Sequence, residues 1–279
     1  MLEFIDTHLD EPLSIERLSA VASFSKFHFH RQFSEFLGLG VYEYVQLTRL
    51  KRASYRLAFR DTSVLTVAHD SGYAGPEAFA RAYKKTLGQA PSEFRKRPEW
   101  DAWYAIHERL SVLRSEHMQT SLQSEQVRIV DFPGAKVAVL EHRGDPRAIG
   151  DSIRKFIEWR KQAGLHPRTS ATYNVLYDDP VTTAPSEFRF DLCAATDADI
   201  EPNASGIVTK MIPAGRCASL RVLGGDAAMA DGVRFLYSQW LPNSGEDARD
   251  FPLFLQRVKF FPDVPEHEQI LDLFLPLAR

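Results

Sequence analysis

Lys26, Phe27, His30 and Arg31 crowd the first half of one short stretch, Ser25–Gly38 (SKFHFHRQFSEFLG). A guanidinium presents a planar fork of donors that fits guanine O6 and N7. An imidazole donates or accepts, and a phenyl ring can lie on a thymine methyl. Borne on a helix with one buried face, such side chains can read base edges in a DNA major groove. Phe29, Phe33 and Phe36/Leu37 recur at helical spacing and predict that buried face. Ser25 suits the N-cap and Gly38 the C-terminal stop. His28 and His30 lie two residues apart, on different sides of a helix, so no metal site is expected there.

The pattern returns about fifty residues later. Leu18–Ala22 and Phe24 (LSAVASF) match Val67–Ser71 and Tyr73 (VAHDSGY) at an offset of 49. Phe29, Arg31, Phe33, Leu37 and Gly38 match Phe79, Arg81, Tyr83, Leu87 and Gly88 at an offset of 50, the extra residue falling in the turn. Two helix–turn–helix units follow, at about 14–38 and 63–88. Between them Val41–Phe59 carries a helical register through Tyr44, Leu47, Leu50 and Leu57. A helix of that length spans about 25–30 Å, enough to set two reading helices about one duplex turn (~34 Å) apart. Pro76 fits the first position of the second reading helix, Pro76–Leu87.

Residues 2–97 resemble the DNA-binding domain of the AraC/XylS family of transcription regulators. The resemblance is carried by LSIERLSAVASFSKFHFHRQF, RLKRASYRL and VAHDSGYAGPEAFARAYKKTLGQAPSEFRK. It implies double-stranded DNA as partner, with Phe27, His30 and Arg31 reading bases from the first unit, Ser25 and Lys26 beside them. Glu77, Ala80 and Arg81 would face DNA from the second unit. Arg49 and Arg52 on the connecting helix, with Lys84, are expected to contact phosphates. Glu77 is acidic and Ala80 has no polar group, so the second unit is expected to contribute less specificity. Activation, through a contact with RNA polymerase, is the mode of regulation the resemblance leans toward.

The net charge of −3 conceals a local basic surface. Residues 26–60 hold seven basic and two acidic residues, and residues 81–97 hold six and one. Local positive charge is what phosphate contact needs. No run of about eighteen apolar residues suggests a membrane span. The acidic, helix-periodic start is unlike a signal peptide, and the two cysteines, Cys193 and Cys217, are expected as packed thiols, so a cytoplasmic location follows.

Residues 99–126 read as a joint between domains 1–98 and 127–279. Trp100, Trp103, Tyr104, Ile106/His107 and Leu110 predict an apolar helical stripe packed on one of the domains, which leaves a linker proper as short as Ser115–Ser124. Beyond it β-branched runs and Pro/Gly punctuation take over, with a second repeat at an offset of 80. Pro133, Ala138, Leu140 and Gly144 match Pro213, Ala218, Leu220 and Gly224. The fold expected is an all-α domain followed by an α+β domain of two pseudo-symmetric strand–helix–strand halves, with a groove where they meet.

This second region resembles GyrI-like effector-binding domains, also seen in multidrug-sensing regulators. The stretches that carry it are VDFPGAKVAVLEHRG, YNVLYDDP, MIPAGRCASLRVLGG and FPLFLQRVKFFPDVPEHEQILDLFLPL. The resemblance implies a sheet-based aromatic pocket for a small hydrophobic effector, with Phe156, Trp159, Tyr173, Tyr177, Trp240 and Phe254 as wall candidates. Many members carry a pocket Glu in the motif P-x-F-E-x-Y. Leu255 stands at the Glu position and Arg257 at the Tyr position. That loss leaves a cationic, neutral or anionic effector open. It also removes the acid/base group of related hydrolases, so no enzyme, catalytic residue or cofactor is expected. The alternative is a protein-interaction module without ligand.

Overall fold

The computed structural model describes residues 1–117, 122–260, 264 and 266–278. The chain forms two compact units, Met1–Gln119 and Thr120–Arg279.

The first unit is helical: α1 (Leu2–Thr7), α2 (Ile15–Val21), α3 (Lys26–Leu37), α4 (Val41–Phe59), α5 (Val64–Asp70), α6 (Pro76–Leu87), α7 (Pro91–Lys96) and α8 (Trp100–His117). Serines open three of them. Ser14, Ser25 and Ser63 accept the backbone N–H of Arg17, His28 and Thr66, satisfying donors that a helix start leaves unpaired. α4 is the axis, burying Tyr44, Leu47, Leu50 and Leu57. A column of rings runs Phe79–Tyr83–Phe94–Trp100–Trp103, with successive centroids 5.4, 5.7, 5.3 and 5.6 Å apart. The Tyr83 hydroxyl is 2.8 Å from Ser54 Oγ, and burial pushes its pKa up.

That column changes the reading of residues 99–126. Trp100, Trp103, Ile106 and Leu110 are buried. Trp103 Nε1 donates to the Lys51 carbonyl on α4 (3.2 Å), and Arg109 pairs with Glu43 (2.8 Å). Most of the expected joint is thus an integral helix of the first unit. The part of it at 118–121 lies outside the described residues.

The second unit comprises β1 (Arg128–Phe132), β2 (Ala135–Arg143), α9 (Ile149–Gln162), β3 (Thr172–Leu176), β4 (Arg189–Ala195), β5 (Ile207–Ile212), β6 (Gly215–Leu223), α10 (Asp226–Phe235), α11 (Leu241–Ser244), β7 (Phe254–Lys259) and β8 (Ile270–Pro276). A π-helical turn, Leu236–Trp240, joins α10 to α11. Among the described residues the strands make one antiparallel sheet in the order β1-β6-β8-β7-β3-β4-β2-β5. Exchanging β1–β4 with β5–β8 reproduces that order read backwards, so a pseudo-two-fold passes between β3 and β7. The halves exchange their first strands: β1 pairs with β6, and β5 with β2.

This exchange forces the sheet to curl. β1 is one edge and β2 lies next to the other, yet only Pro133 and Gly134 connect them. Two residues reach about 7–10 Å at most, so the edges must approach. They do so at the two connectors: a Cβ on Gly134 (φ +82°) would sit 3.1 Å from the Ala214 backbone nitrogen.

Strand alternation then divides the apolar residues among three clusters. One, under α9, holds Ala138, Leu140, Phe156, Phe190 and Leu192. A second, under α10, holds Leu220, Phe235, Trp240, Leu255 and Leu273. The third fills the opposite, inner face with Phe132, Val139, Tyr173, Cys193, Phe254 and Phe274. Both cysteines are free and buried, and burial raises their pKa values.

Candidate functional site

α3 and α6 are built alike. Phe29, Phe33 and Leu37 are buried in one, and Phe79, Tyr83 and Leu87 in the other, and each helix ends on a left-handed glycine. α3 exposes Lys26, Phe27, His30 and Arg31, with Ser25 exposed as its cap. Phe27 is 79 % exposed, an unusual state for a phenylalanine with nothing to cover it. α6 exposes Glu77, Arg81, Lys84 and Lys85, with Ala80 half-buried. Eight of the eleven residues expected to face DNA therefore lie exposed on the open sides of these two helices, and Ala80 is half-buried there.

Arg49 and Arg52 do not. Arg49 Nε donates to the Leu9 carbonyl (3.0 Å) and its terminal nitrogen to that of Glu11 (2.7 Å). Arg52 bonds the Asp10 carboxylate (2.6 Å) and the Asp70 carbonyl (2.7 Å). Their donors are engaged within the first unit, which leaves them poorly placed for phosphate. Periodicity could not foresee this, because it gives the side of a helix but not the loops that side meets.

The seven residues expected to line one pocket are also not together. Tyr173, Tyr177 and Phe254 belong to the inner face, Phe156 and Trp159 to the cluster under α9, and Trp240 and Leu255 to the cluster under α10. The reason is the alternation of β7: Phe254 and Leu255 are adjacent and so point to opposite faces. Trp240 also borders an open surface cleft of about 270 Å³ with Ser124, Ile129 and Glu246.

The inner face holds a group of residues that the sequence reading missed. Asp191, with 0 % of its surface exposed, sits mid-strand in β4. Its Oδ1 accepts from Arg143 (2.8 Å), and its Oδ2 from Lys210 (2.8 Å) and the Tyr177 hydroxyl (3.0 Å). Lys210 also pairs with Glu141. Burial pulls the Lys210 pKa down, but its bonds to Asp191 and Glu141 outweigh that, and the net shift is upward. The guanidinium groups of Arg143 and Arg189 lie 5.4 and 5.3 Å from the Tyr177 ring centre. Asp191, Lys210 and Tyr177 border a small cavity, about 40 Å³, whose other walls include Val139, Cys193, Met211 and Phe251. That volume is of the order of one water molecule.

The pseudo-symmetry supplies an internal control. At offsets of 80 and 81, Asp191 corresponds to Asp272 and Glu141 to Arg221, which form a two-bond ion pair (2.7 and 2.8 Å). Arg143, Tyr177 and Lys210 correspond to Leu223, Val258 and Val130. The second half folds without the cluster, so the fold does not require it. The one signal in the sequence was a lone acid in an apolar strand, RFDLCAA.

Residues 125–278 match the family described as GyrI-like small molecule binding domain. The chain belongs to the GyrI-like family. Residues 18–97 match a helix-turn-helix domain, here of AraC type. The chain is 39 % identical over 153 residues to the probable transcriptional regulator YgiV of Escherichia coli (strain K12), covering 54 % of this chain and 96 % of that one. It is 31 % identical over 103 residues to the transcriptional regulator Rob of Salmonella typhimurium, covering 37 % of this chain and 36 % of Rob. Among solved structures, EcmrR in a complex with DNA aligns over 95 % of this chain and 99 % of its own, with 14 % identity and a TM-score of 0.47. Within the GyrI-like domain, Leu255, which the sequence resemblance set at a Glu position, is fully buried among Leu273, Leu275 and their neighbours. A carboxylate there would be costly without a partner.

Proposed function

We propose that this chain is a transcription regulator that reads double-stranded DNA with α3 and α6 and senses a small hydrophobic molecule through its GyrI-like domain. The observation that carries the DNA reading is the repeat itself. Two helices fifty residues apart bury the same apolar positions and expose Arg31 and Arg81 at the same offset. Phe27, His30 and Arg31, with Ser25 and Lys26 beside them, are assigned to base edges and nearby phosphates. Arg81 is assigned to a base, Glu77 to a neighbouring position, and Lys84 to the backbone. Selection of sites from a random DNA pool by the full chain, at a fixed salt concentration, tests it. The expected result is two short boxes about one helical turn apart. No enriched sequence, with or without effector, would reject it.

The effector reading rests on the asymmetry between the halves of the GyrI-like domain. Tyr177, Asp191 and Lys210 border a small cavity together with Phe251 and Met211, and Val258 and Val130 stand where the other half would need Tyr177 and Lys210. An effector acts only if it prefers the DNA-competent arrangement or its opposite. Thermal stability of the full chain against hydrophobic cations, neutral aromatics and anions tests this. The absence of any shift across the panel favours a protein-interaction role. A cytoplasmic activator that touches RNA polymerase is the fullest form of the proposal, tested by transcription from a promoter carrying the selected boxes.

A further inference from the structure

We infer that a stripe of arginines on α4 fixes the spacing between the two reading helices. The inference rests on the DNA reading above but concerns residues that touch no DNA. Arg49, Arg52 and Arg56 follow one another at intervals of three and four, so they share one side of α4. On one flank they hold the chain that leads into the first helix–turn–helix unit. Arg49 takes the carbonyls of Leu9 and Glu11, and Arg52 takes the Asp10 carboxylate. On the other flank they hold the turn that leads into α6. Arg52 donates to the Asp70 carbonyl, Arg56 pairs with the Asp70 carboxylate (2.5 Å), and the Arg49 guanidinium lies where a side chain on Gly72 would begin. Gln46, one turn earlier on the same side, bonds the Tyr73 hydroxyl (3.3 Å).

Arg52 is the hinge pin of this arrangement: a single terminal nitrogen bonds Asp10, just ahead of the first helix–turn–helix unit, and the Asp70 carbonyl in the second, and its side chain is only 10 % exposed. Burial, and then the neighbouring Arg52 charge, lower the Arg49 pKa, so the stripe is electrostatically uncomfortable. Apolar residues could pack α4 to both units at lower cost. What a guanidinium adds is direction, because its donors are fixed in a plane and bond only where carbonyls and carboxylates are correctly set. Such bonds specify a relative position as well as a contact. For a protein that reads two boxes, relative position is specificity: one added base pair turns the second box by about a tenth of a helical turn.

The test uses the full chain and duplexes that carry both boxes with the spacer lengthened or shortened by one and two base pairs. The wild type is expected to bind the best spacer about tenfold or more tightly than its neighbours, on the scale of one mismatched pair. Arg52→Lys keeps the charge and loses the fork. It is expected to flatten that preference to within about threefold, while base preference inside each box and the salt slope stay as in the wild type. Asp10→Asn, at an exposed partner, is expected to flatten it in the same direction and serves if Arg52→Lys fails to fold. A wild-type spacer profile in a folded variant overturns the inference, as does a spacer-blind wild type. A wild type that selects no boxes overturns the DNA reading itself.

Discussion

Set residue against residue at the offset of fifty, the two reading helices differ in a consistent direction. Phe27 stands against Glu77, His30 against Ala80, Ser34 against Lys84 and Glu35 against Lys85, with Arg31 and Arg81 in common. α3 concentrates groups able to discriminate bases near its N-terminus, where a recognition helix meets the groove floor. α6 has an acid and a small residue there and places its cations a turn or two later, positions suited to backbone phosphates. The turns differ too. Among the described residues Ser23 is the non-glycine residue with positive φ (57°), and its counterpart is Gly72 (φ 79°). Under the proposed function this difference gives the first copy the larger share of base reading and the second the larger share of backbone contact, and Arg49 packs against the turn of the second copy at Gly72.

The turns give the largest expected difference. Gly72→Ala should cost about 1–2 kcal/mol from the left-handed backbone alone, and more because the Arg49 guanidinium must leave. Ser23→Gly should do the opposite and stabilise by up to about 1 kcal/mol. Urea unfolding of both variants checks the pair, and equal signs would mean that the turns are equivalent. Next in size, Arg31→Ala should cost about 1–3 kcal/mol on the selected site and relax preference at one base pair. If it weakened random DNA equally, Arg31 would be a phosphate contact and the two helices would be more alike than proposed. Lys84→Ala should weaken all sequences uniformly and reduce the salt slope by about 1, as titrations at several salt concentrations will register. The smallest effect is expected from Glu77→Gln. Removing an acid beside phosphate should raise affinity for all sequences a few-fold at low salt, with the gain fading as salt rises. A loss confined to sites with cytosine opposite α6 would instead make Glu77 a reader.

How much of this the sequence disclosed depended on the range of the interaction. The limits of α4 and α6 and the cap at Ser25 are set by neighbours within a turn, and the local sequence pattern exposed them. So did the buried faces of α3 and α6. Arg49 and Arg52 looked like solvent-facing cations because their partners, Leu9 to Glu11 and Asp70, lie some twenty to forty residues away. The aromatics of the second unit were legible as apolar but not as to side, since a one-residue step in β7 sends Phe254 and Leu255 to different cores. The Asp191 cluster gathers residues 141 and 143 from β2, 177 from just beyond β3, 191 from β4 and 210 from β5, and no local pattern links those elements. The offset of 80 announced two halves, but not that each completes the other.

That completion has a consequence for how such a domain could have arisen. Because β1 lies beside β6 and β5 beside β2, neither half contains all the strands of its own end of the sheet. A chain of half this length would carry an orphan first strand and an empty berth for one. Two copies could satisfy both by trading arms, so this topology is the one an intertwined homodimer of two half-domains would adopt. Within one polypeptide each half is free to differ, and the Asp191 cluster, which joins residues of the first half to Lys210 of the second, is the kind of asymmetry an exact homodimer cannot encode.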